Sequence, residues 1–541
     1  MKKRYIILFI ALYSVIACND SYLEKFPLDK INDAGYWKTA KDIELFANQF
    51  YIDLKLNTSQ PWLVEDPTDN DGPAARDPYS WNESTLPVTG GGWAKADWAK
   101  IRSCNIALDH IATMEKSASI QQNEGEIRFF RAFYYFAKVK YFGDVPWLEH
   151  NLNIDSEDLN KARDPRKLVV DNLLKDLDIA IANLPATSAT DRLTKYAALT
   201  LKAEVCLYEG TFRKYRNLGD DQPMLRGAVD AASTIMSSGL FSLYKTGKPT
   251  EDYFNLFIQD ELKGNPEGIM VQRYMKDLRF HTHVRVSNES HTGYTKDFVE
   301  NYLCTDGLPI SISPLYKGDA VFGDEFVGRD PRMRQSIYNS DRPFTIYQNG
   351  TIFYRPMPEF SATSCYTSYF ILKGFNPDDR YREATTYGII DDFIFRYAQV
   401  LLCYAEAKAE LNECTQADLD KSLNLLRDRV NMPHLTVAIG FVDPNWPKWE
   451  VPVTPLINEI RRERRIELCN EGFRWDDLMR WKAGKLLENP KVVVGARDPK
   501  TGQYRVLYPG FTRKWDDKLY LHPIPTQEIT LNPNLKQNPG W

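Results

Sequence analysis

The sequence predicts a mainly α protein with two parts, a superhelical half built from paired helices and a loop-rich, irregular half with few short strands. Three observations predict this class. Apolar residues recur at three- and four-residue steps in several long segments, helix-breaking residues follow those segments, and Gly, Pro and Asp accumulate between them. The 541 residues and 43% hydrophobic content are enough to fill a large core.

The first helix pair is predicted at about residues 126–185. Gly143 follows its first helix, whose apolar face is formed by Ile127, Phe130, Tyr134, Ala137 and Tyr141. Pro185 follows its second helix, whose apolar face is formed by Val170, Leu174, Leu177 and Ile181. Both helices therefore have the amphipathic pattern of packed neighbours.

Three further helix pairs are predicted at about residues 195–239, 393–430 and 455–487. In the first of these, small side chains at packing positions allow the two helices to approach closely: Ala198, Ala203, Ala228 and Ala232. The pairs are similar to tetratricopeptide repeats, although insertions break the repeat period of ~34 residues.

Two segments without long periodic patterns interrupt the helices, at about residues 57–93 and 240–390. They are rich in turn-forming residues and contain only short strand-like stretches, such as "GTIFYRPM". Because long irregular segments inside a compact fold often carry binding sites, we expect ligand contacts in these two regions.

The charge balance excludes one class of partner. Lys and Arg total 68 against 73 Asp and Glu, a net charge of -5, so the chain lacks the basic surface that nucleic-acid binding requires. The aromatic content is high, with 30 Tyr, 27 Phe and 12 Trp. Some of these rings are expected to line a surface that binds flat apolar faces.

The N-terminus predicts export and lipid attachment. Residues 1–17 form a signal peptide, with a positive start followed by an uncharged run that is shorter than the ~20 residues of a membrane-spanning helix. The ending "VIAC" resembles a bacterial lipobox, which makes Cys18 the predicted lipidation site and membrane anchor. The alternative is an ordinary signal peptide followed by a chance cysteine.

No motif indicates a metal, a cofactor or a catalytic centre. The cysteines lack C-x-x-C spacing, and the pair His281 and His283 has only His291 nearby, at a spacing that no metal site uses. "DPTDNDG" lacks the spacing of a calcium loop, so we expect a solvated turn. Nucleophile-elbow, zinc and phosphate-loop motifs are also missing, and the sequence therefore favours a protein that is not an enzyme.

The loop at 57–93 is the first candidate binding region. Sugars present C–H faces to aromatic rings and hydroxyls to polar groups, so Trp81 and Trp93 are candidate stacking platforms. The polar and aromatic neighbours expected to contribute are Asp71, Arg76, Tyr79 and Asn82. The alternative is that these rings plug the loop against the helical half. A second candidate is the polar loop that carries His291 and Tyr294.

The stretch "ERRIELCNEGFRWDDLMRW" at residues 463–481 combines many charges with two tryptophans. It could be a catalytic cleft or a structural clasp. Glu463 and Glu467 lie one helical turn apart, and the arginines between them are spaced to pair with neighbouring turns. After a break at 470–472, Trp475, Leu478 and Trp481 form an apolar face. This spacing favours the clasp.

Taken together in chain order, seven segments resemble the SusD/RagB family of outer-membrane nutrient-binding lipoproteins. They are "YLEKFPLDKINDAGYWKTAKDIELFANQFY", "WAKIRSCNIALDHI", "EIRFFRAFYYFAKVKYFGDVPWL", "GRDPRM", "RYAQVLLCYAEAKAEL", "ERRIELCNEGFRWDDLMRW" and "HPIPTQEITLNPNLKQNPGW". The resemblance covers nearly the whole chain and implies a single SusD-like domain over residues 18–541.

The resemblance also implies a function. Family members are lipid-anchored on the extracellular side of the outer membrane and act as lids on a SusC-like TonB-dependent transporter, most often binding oligosaccharides for import. A RagB-like branch binds peptides instead, and this alternative stays open, as does a repeat scaffold that binds only protein. No cofactor, metal or nucleic acid is implied.

Overall fold

A computed structural model describes residues 36–54, 65, 67–285, 291–360, 365–383 and 387–541. Within these residues the protein is mainly helical, which confirms the predicted fold class. The predicted signal peptide, Cys18 and Trp62 lie outside the described residues. No helix in the described part of the chain is both long and apolar enough to cross a membrane.

The N-terminal part of the helical half contains the first two predicted pairs. Its helices are α1 (Ala40–Tyr51), α2 (Lys95–Ile111), α3 (Ala118–Phe142), α4 (Arg166–Asn183), α5 (Lys195–Lys214) and α6 (Asp221–Ser237). α3 packs against α4 and α5 packs against α6, as the apolar periodicity predicts. Ser117 caps the start of α3, and Gly143 ends that helix in a backbone conformation with φ of 76°.

Small residues bring α5 and α6 together, as predicted. A side chain at Gly210 would place its Cβ 2.7 Å from Leu225, and one at Gly227 would lie 2.9 Å from the sulfur of Cys206. Ala228 and Ala232 on α6 are fully buried at the same interface. A glycine within a helix costs about 1 kcal/mol relative to alanine, a cost that the close packing offsets.

The irregular half has short elements only. Its helices are α7 (Asp252–Leu256), α8 (Lys296–Glu300), α9 (Met333–Ser336) and α10 (Arg380–Glu383). Its strands pair antiparallel as β1 (Gly268–Gln272) with β4 (Asp392–Arg396), and β2 (Thr345–Ile346) with β3 (Ile352–Phe353).

The C-terminal part returns to the helical half and then ends in further short elements. Its helices are α11 (Tyr397–Glu410), α12 (Gln416–Asp420), α13 (Leu423–Arg429), α14 (Pro455–Glu467), α15 (Arg474–Arg480) and α16 (Thr526–Leu531). β5 (Val494–Arg497) pairs antiparallel with β6 (Tyr504–Val506). α11 packs against α14, so the last two predicted pairs are neighbours.

Residues 463–481, which we name the clasp, join the separate parts of the core. Leu468 packs into the core of the helical half, Ile466 and Cys469 pack into a core of the irregular half, and Trp481 packs into a third core with the C-terminal segment. The clasp is therefore a structural joint, as its spacing predicts.

The charges of the clasp are buried and paired, but their partners are mostly distant in sequence. Glu467 accepts hydrogen bonds from Arg429 at 2.6 Å, from Arg396 at 2.8 Å and from Arg332 at 3.1 Å. Burial alone would raise the pKa of Glu467, but the three guanidiniums outweigh it and hold that pKa well below its usual value. The expected pairing of Arg464 and Arg465 with adjoining turns is wrong, because Arg464 binds Asp477 on the next helix at 2.8 Å and Arg465 binds Asp297 at 2.8 Å.

Candidate functional site

The acidic loop "DPTDNDG" docks onto the clasp. The two oxygens of Asp69 accept hydrogen bonds from Nε and Nη2 of Arg474, both at 2.7 Å, and Asp71 accepts from the amide of Asn470 at 3.0 Å. The expectation of a solvated turn is wrong, because Asp69 and Asp71 are each only 2% exposed. Buried guanidinium and amide groups of the clasp compensate their charges, so burial is favourable here.

The structure brings the two predicted binding loops together at Asp71 and Tyr294, which form an isolated antiparallel bridge. The N–H of Gly72 donates to the carbonyl of Gly293 at 2.8 Å. Gly293 has no room for a side chain, because a Cβ there would lie 2.4 Å from the hydroxyl of Thr367. The two candidate regions are therefore neighbours in the folded protein.

Asp71 and Tyr294 nevertheless lie too deep to contact a ligand directly. Tyr294 is fully buried, its ring stacks on Phe298 at 4.5 Å, and its hydroxyl lies 3.8 Å from the sulfur of Cys469. The expectation that these two residues bind ligand is corrected, since both hold the loops in place.

Trp81 and Trp93 are plugs rather than exposed platforms. Trp81 is 7% exposed and meets Tyr508 edge-on at 5.1 Å, and Trp93 is 5% exposed and meets Phe142 edge-on at 4.7 Å. Because both rings are almost completely buried, the platform expectation is corrected in favour of its alternative. The loop gains more from burying each large ring than from exposing it.

Tyr79 lies at a third location, where it packs against residues near the C-terminus. Its ring stacks on His522 at 3.8 Å, and His522 stacks on Tyr141 at 3.4 Å. The hydroxyl of Tyr79 donates to the carbonyl of Leu519 at 2.9 Å. Tyr79 therefore joins the N-terminal loop to the C-terminal segment and takes no part in the surface described next.

An accessible row of flat groups remains around Arg76. Its guanidinium lies 3.6 Å from the ring centre of Phe511 and 5.2 Å from that of Trp81, and it also pairs with Glu83 at 3.0 Å. Phe511 is 56% exposed, so one side of this stack faces solvent. Asn82 is half-buried and shapes the turn beside it, with a positive φ of 58° and an N–H that donates to Tyr79 at 2.9 Å.

A second row of flat groups involves Arg505, which lies six residues before Phe511 in the chain. The guanidinium of Arg505 lies 4.8 Å from the ring centre of Tyr366 and donates to the carbonyl of Phe360 at 2.7 Å. The N–H of Tyr366 in turn donates to the carbonyl of His291, an exposed residue, at 3.3 Å. The segment 504–511 therefore contributes one member to each of two guanidinium–ring pairs, Phe511 to the first and Arg505 to the second.

We name the two rows together the aromatic–arginine surface, formed by Arg76, Tyr366, Arg505, Tyr508 and Phe511. The sequence predicts Arg76 as a binding residue but does not single out the other four. The alternation of aromatic and basic residues in "YRVLYPGFTRKW" is the only local signal for three of them. Tyr508 is half-buried, and its hydroxyl donates to the carbonyl of Pro73, which ties the segment to the N-terminal loop.

The flat groups of this surface are suited to binding. Aromatic and guanidinium planes stack on C–H faces, and the edges of the guanidiniums can donate to hydroxyls. Two carboxylates of the loop that carries Arg76 are engaged by protein partners, Glu83 by Arg76 and Asp71 by Asn470. Among the residues that the structure describes, no group of His, Cys, Asp and Glu side chains is arranged to hold a metal ion.

His281 and His283 are buried against each other. The rings of His281 and His283 stack at 3.8 Å, and Nε2 of His281 lies 2.8 Å from the carbonyl of Ile390. Burial, reinforced by the neighbouring His283, lowers the pKa of His281 to about 4.

Helix pairs, a central clasp and an aromatic–arginine surface together define a helical-repeat binding protein. The model of the SusD family matches residues 263–541, and a model described as starch-binding and associating with the outer membrane matches residues 69–207. The chain belongs to the SusD family, a family of carbohydrate-binding proteins associated with the outer membrane.

Individual relatives are similar to this chain over nearly all of its length. SusD-like protein P2 of Formosa agariphila is 25% identical and is covered completely, as is this chain. A SusD-like protein of Bacteroides fragilis has a crystal structure with a TM-score of 0.75 and 25% identity, covering 96% of this chain and 100% of that one. A SusD-like carbohydrate-binding protein of the same organism gives a TM-score of 0.70 at 23% identity, covering 93% and 100%.

Proposed function

We propose that the protein binds oligosaccharides on the aromatic–arginine surface and does not cleave them. The observation that carries this proposal is the exposed stack of Phe511 on Arg76, together with a second stack of Arg505 on Tyr366 that involves the same segment 504–511. Such alternating flat groups suit a chain of sugar rings, which presents one C–H face after another. Membership of a carbohydrate-binding family supports the same class of ligand.

We further propose that the mature protein begins at Cys18, is lipid-anchored to the outer membrane and faces the extracellular side. There it acts as the lid of a SusC-like TonB-dependent transporter in nutrient import. The lipobox-like "VIAC" and the family's association with the outer membrane support this assignment. Acyl chains contribute about 0.8 kcal/mol of membrane affinity per buried CH₂.

A binding panel tests the ligand class. The soluble form that starts after Cys18 is applied to a glycan array, with a library of short peptides as the control panel. Binding to one or more glycans and to no peptide is expected. Selective peptide binding would instead support the RagB-like alternative. Each bound glycan is then incubated with pure protein, and chromatography that reveals a shortened product would refute the binding-only proposal.

A further inference from the structure

Exposed aromatic rings are concentrated on the hairpin of β2 and β3, which is not part of the aromatic–arginine surface. The exposed aromatic side chains among the described residues are Tyr141, Tyr347, Phe353, Tyr354, Tyr504 and Phe511. Three of these belong to this one hairpin, whose turn contains Gly350 with a positive φ of 84°. Large apolar groups grouped in this way on a surface indicate a contact site.

Two of the rings lie on the same face of the hairpin. Side chains directly opposite each other on paired strands share a face, and faces alternate along each strand. Thr345 pairs with Phe353, and the N–H of Tyr347 donates to the carbonyl of Thr351 at 2.9 Å, so the pairing continues to Tyr347. Tyr347 and Phe353 are therefore diagonal neighbours on one face, and they are 39% and 43% exposed.

The same face carries hydrogen-bonding groups. Arg382 on α10 is half-buried, and its Nη1 donates to the hydroxyl of Thr345 at 3.0 Å. The hydroxyl of Tyr347 makes no hydrogen bond with other described residues. We name Tyr347, Phe353 and Arg382 the hairpin platform. It repeats the combination of exposed ring and guanidinium that Phe511 and Arg76 form on the aromatic–arginine surface.

The hairpin is fixed to the body of the protein at both ends. At its base, Phe344 is buried and its ring lies 5.1 Å from that of Phe370 and 5.0 Å from that of Phe375. Near its turn, the side-chain amide of Gln348 donates to Asp379 at 2.6 Å. A platform that is already ordered loses little conformational entropy when a ligand binds.

The hairpin is connected to the aromatic–arginine surface by a short stretch of chain. Residues 354–360 lead from the end of β3 to Phe360, whose carbonyl accepts a hydrogen bond from Arg505 at 2.7 Å. Six residues extend over at most about 22 Å. The separation is short enough for one long polysaccharide to reach both surfaces, and two linked contacts hold a polymer more tightly than one.

We infer that the hairpin platform is a second saccharide-binding site. A sugar ring packs on Tyr347 and Phe353, and its hydroxyls bind Arg382 and the hydroxyl of Tyr347. The exposed aliphatic side chains Ile346 and Ile352 pair on the opposite face, and this separation favours a sugar over an apolar protein segment at the platform. The inference rests on the proposed function in that it takes the ligand to be a saccharide, but it concerns a separate site.

Calorimetry that counts bound ligands tests the inference. The probes are maltohexaose, cellohexaose, xylohexaose and mannohexaose, and the wild-type protein should bind two molecules of at least one of them. Tyr347→Ala should weaken one of the two binding events about thirtyfold, so that one ligand is counted. Phe511→Ala should weaken the other event. Tyr347→Phe keeps the ring and should retain two ligands.

Ile352→Ala is the matched control, because it removes an exposed side chain from the opposite face of the same hairpin. It should bind two ligands, and thermal melts should show that Tyr347→Ala and Ile352→Ala unfold as the wild type does. An equal loss of binding in Ile352→Ala would assign the effect to the hairpin's fold and overturn the inference.

Two results would overturn the inference while the proposed function stands: one ligand per wild-type chain, or two ligands bound by Tyr347→Ala at wild-type affinity. Gel filtration adds a further arm. If the wild type forms dimers that Tyr347→Ala abolishes, and saccharide binding is unchanged, the face is a contact between copies and the inference fails. If neither these probes nor any glycan on the array binds, the inference and the proposed function both fail.

Discussion

Asp69 and Arg474 form a two-point ion pair across 405 positions of sequence, with both N···O distances at 2.7 Å and both side chains almost fully buried. Arg465 adds a further contact to Asp69 at 3.3 Å. Burial alone would raise the pKa of Asp69, but these two guanidiniums hold it well below its usual value. The loop that carries Arg76 is thereby fixed to the clasp between two halves of the molecule.

A double-mutant cycle tests the contact between Asp69 and Arg474. Each single change, Asp69→Ala or Arg474→Ala, should lower the free energy of unfolding by about 3–5 kcal/mol, because each leaves a buried charge without its main partner. The double variant should lose less than the sum of the two, since it removes both charges. Urea unfolding measures all four proteins. Strictly additive losses would show that the two side chains are not coupled.

Glu467 should be a stability residue and not a ligand residue. Glu467→Gln keeps the shape but removes the charge that three arginines share, and it should cost about 3–5 kcal/mol of unfolding free energy. The control Glu413→Gln breaks an exposed pair with Arg226 and should leave the free energy of unfolding nearly unchanged. Saccharide affinity per folded molecule should not change in either variant. A loss of affinity at constant melting temperature would contradict the structural role.

His522 should make the protein sensitive to acid. Burial between Tyr79 and Tyr141 lowers the pKa of His522 to about 3 from its ordinary value of about 6.5. The unfolded chain therefore binds a proton below about pH 6.5 while the folded protein does not, and the stability present above that pH decreases as the pH falls towards 3.

Replacing the imidazole of His522 removes its contribution to the loss of stability at low pH. His522→Phe should lose less unfolding free energy than the wild type between pH 7 and pH 4.5, as followed by thermal melts across that range. His150→Phe, which replaces a histidine that is 77% exposed, serves as the control for loss of an imidazole elsewhere in the chain. A His522→Phe curve parallel to that of the wild type would contradict the assignment.

Cys18 should anchor the protein. Cys18→Ala removes the thiol that the lipobox-like ending presents and should shift the protein from the membrane to the soluble fraction of cells. Cys414→Ala, a partly exposed cysteine far along the chain, should leave the protein in the membrane fraction. Incorporation of labelled palmitate into the Cys18→Ala protein would contradict lipidation at this residue.

The helices could be predicted from the sequence because the spacing of apolar residues that defines them lies within each segment. Ile127 and Phe130 are buried on α3, and Ala228 is buried on α6 in the second pair, as spacing and side-chain volume alone predict. The clasp was also predictable as a structural unit. Most partners of Glu467 were not, because Arg332 and Arg396 reach it from other segments of the chain.

The candidate site was less predictable, because local composition does not report burial. Trp81 and Trp93 stand among polar residues, as exposed platforms do, yet each fills a gap that a distant segment completes. Asp69 stands in a typical turn sequence, yet buried arginines from the clasp draw it inside. Phe511 is accessible, and only the placement of the C-terminal segment beside Arg76 identifies it as part of a surface.

The most direct test of saccharide binding at the aromatic–arginine surface is calorimetry of Phe511→Ala with an oligosaccharide that the wild-type protein binds. Removal of the exposed ring should weaken binding by roughly 2 kcal/mol, near thirtyfold, at an unchanged melting temperature. The control Leu531→Ala removes a side chain on α16 that is 66% exposed and should bind as the wild type does. Wild-type affinity in Phe511→Ala would contradict the proposed surface.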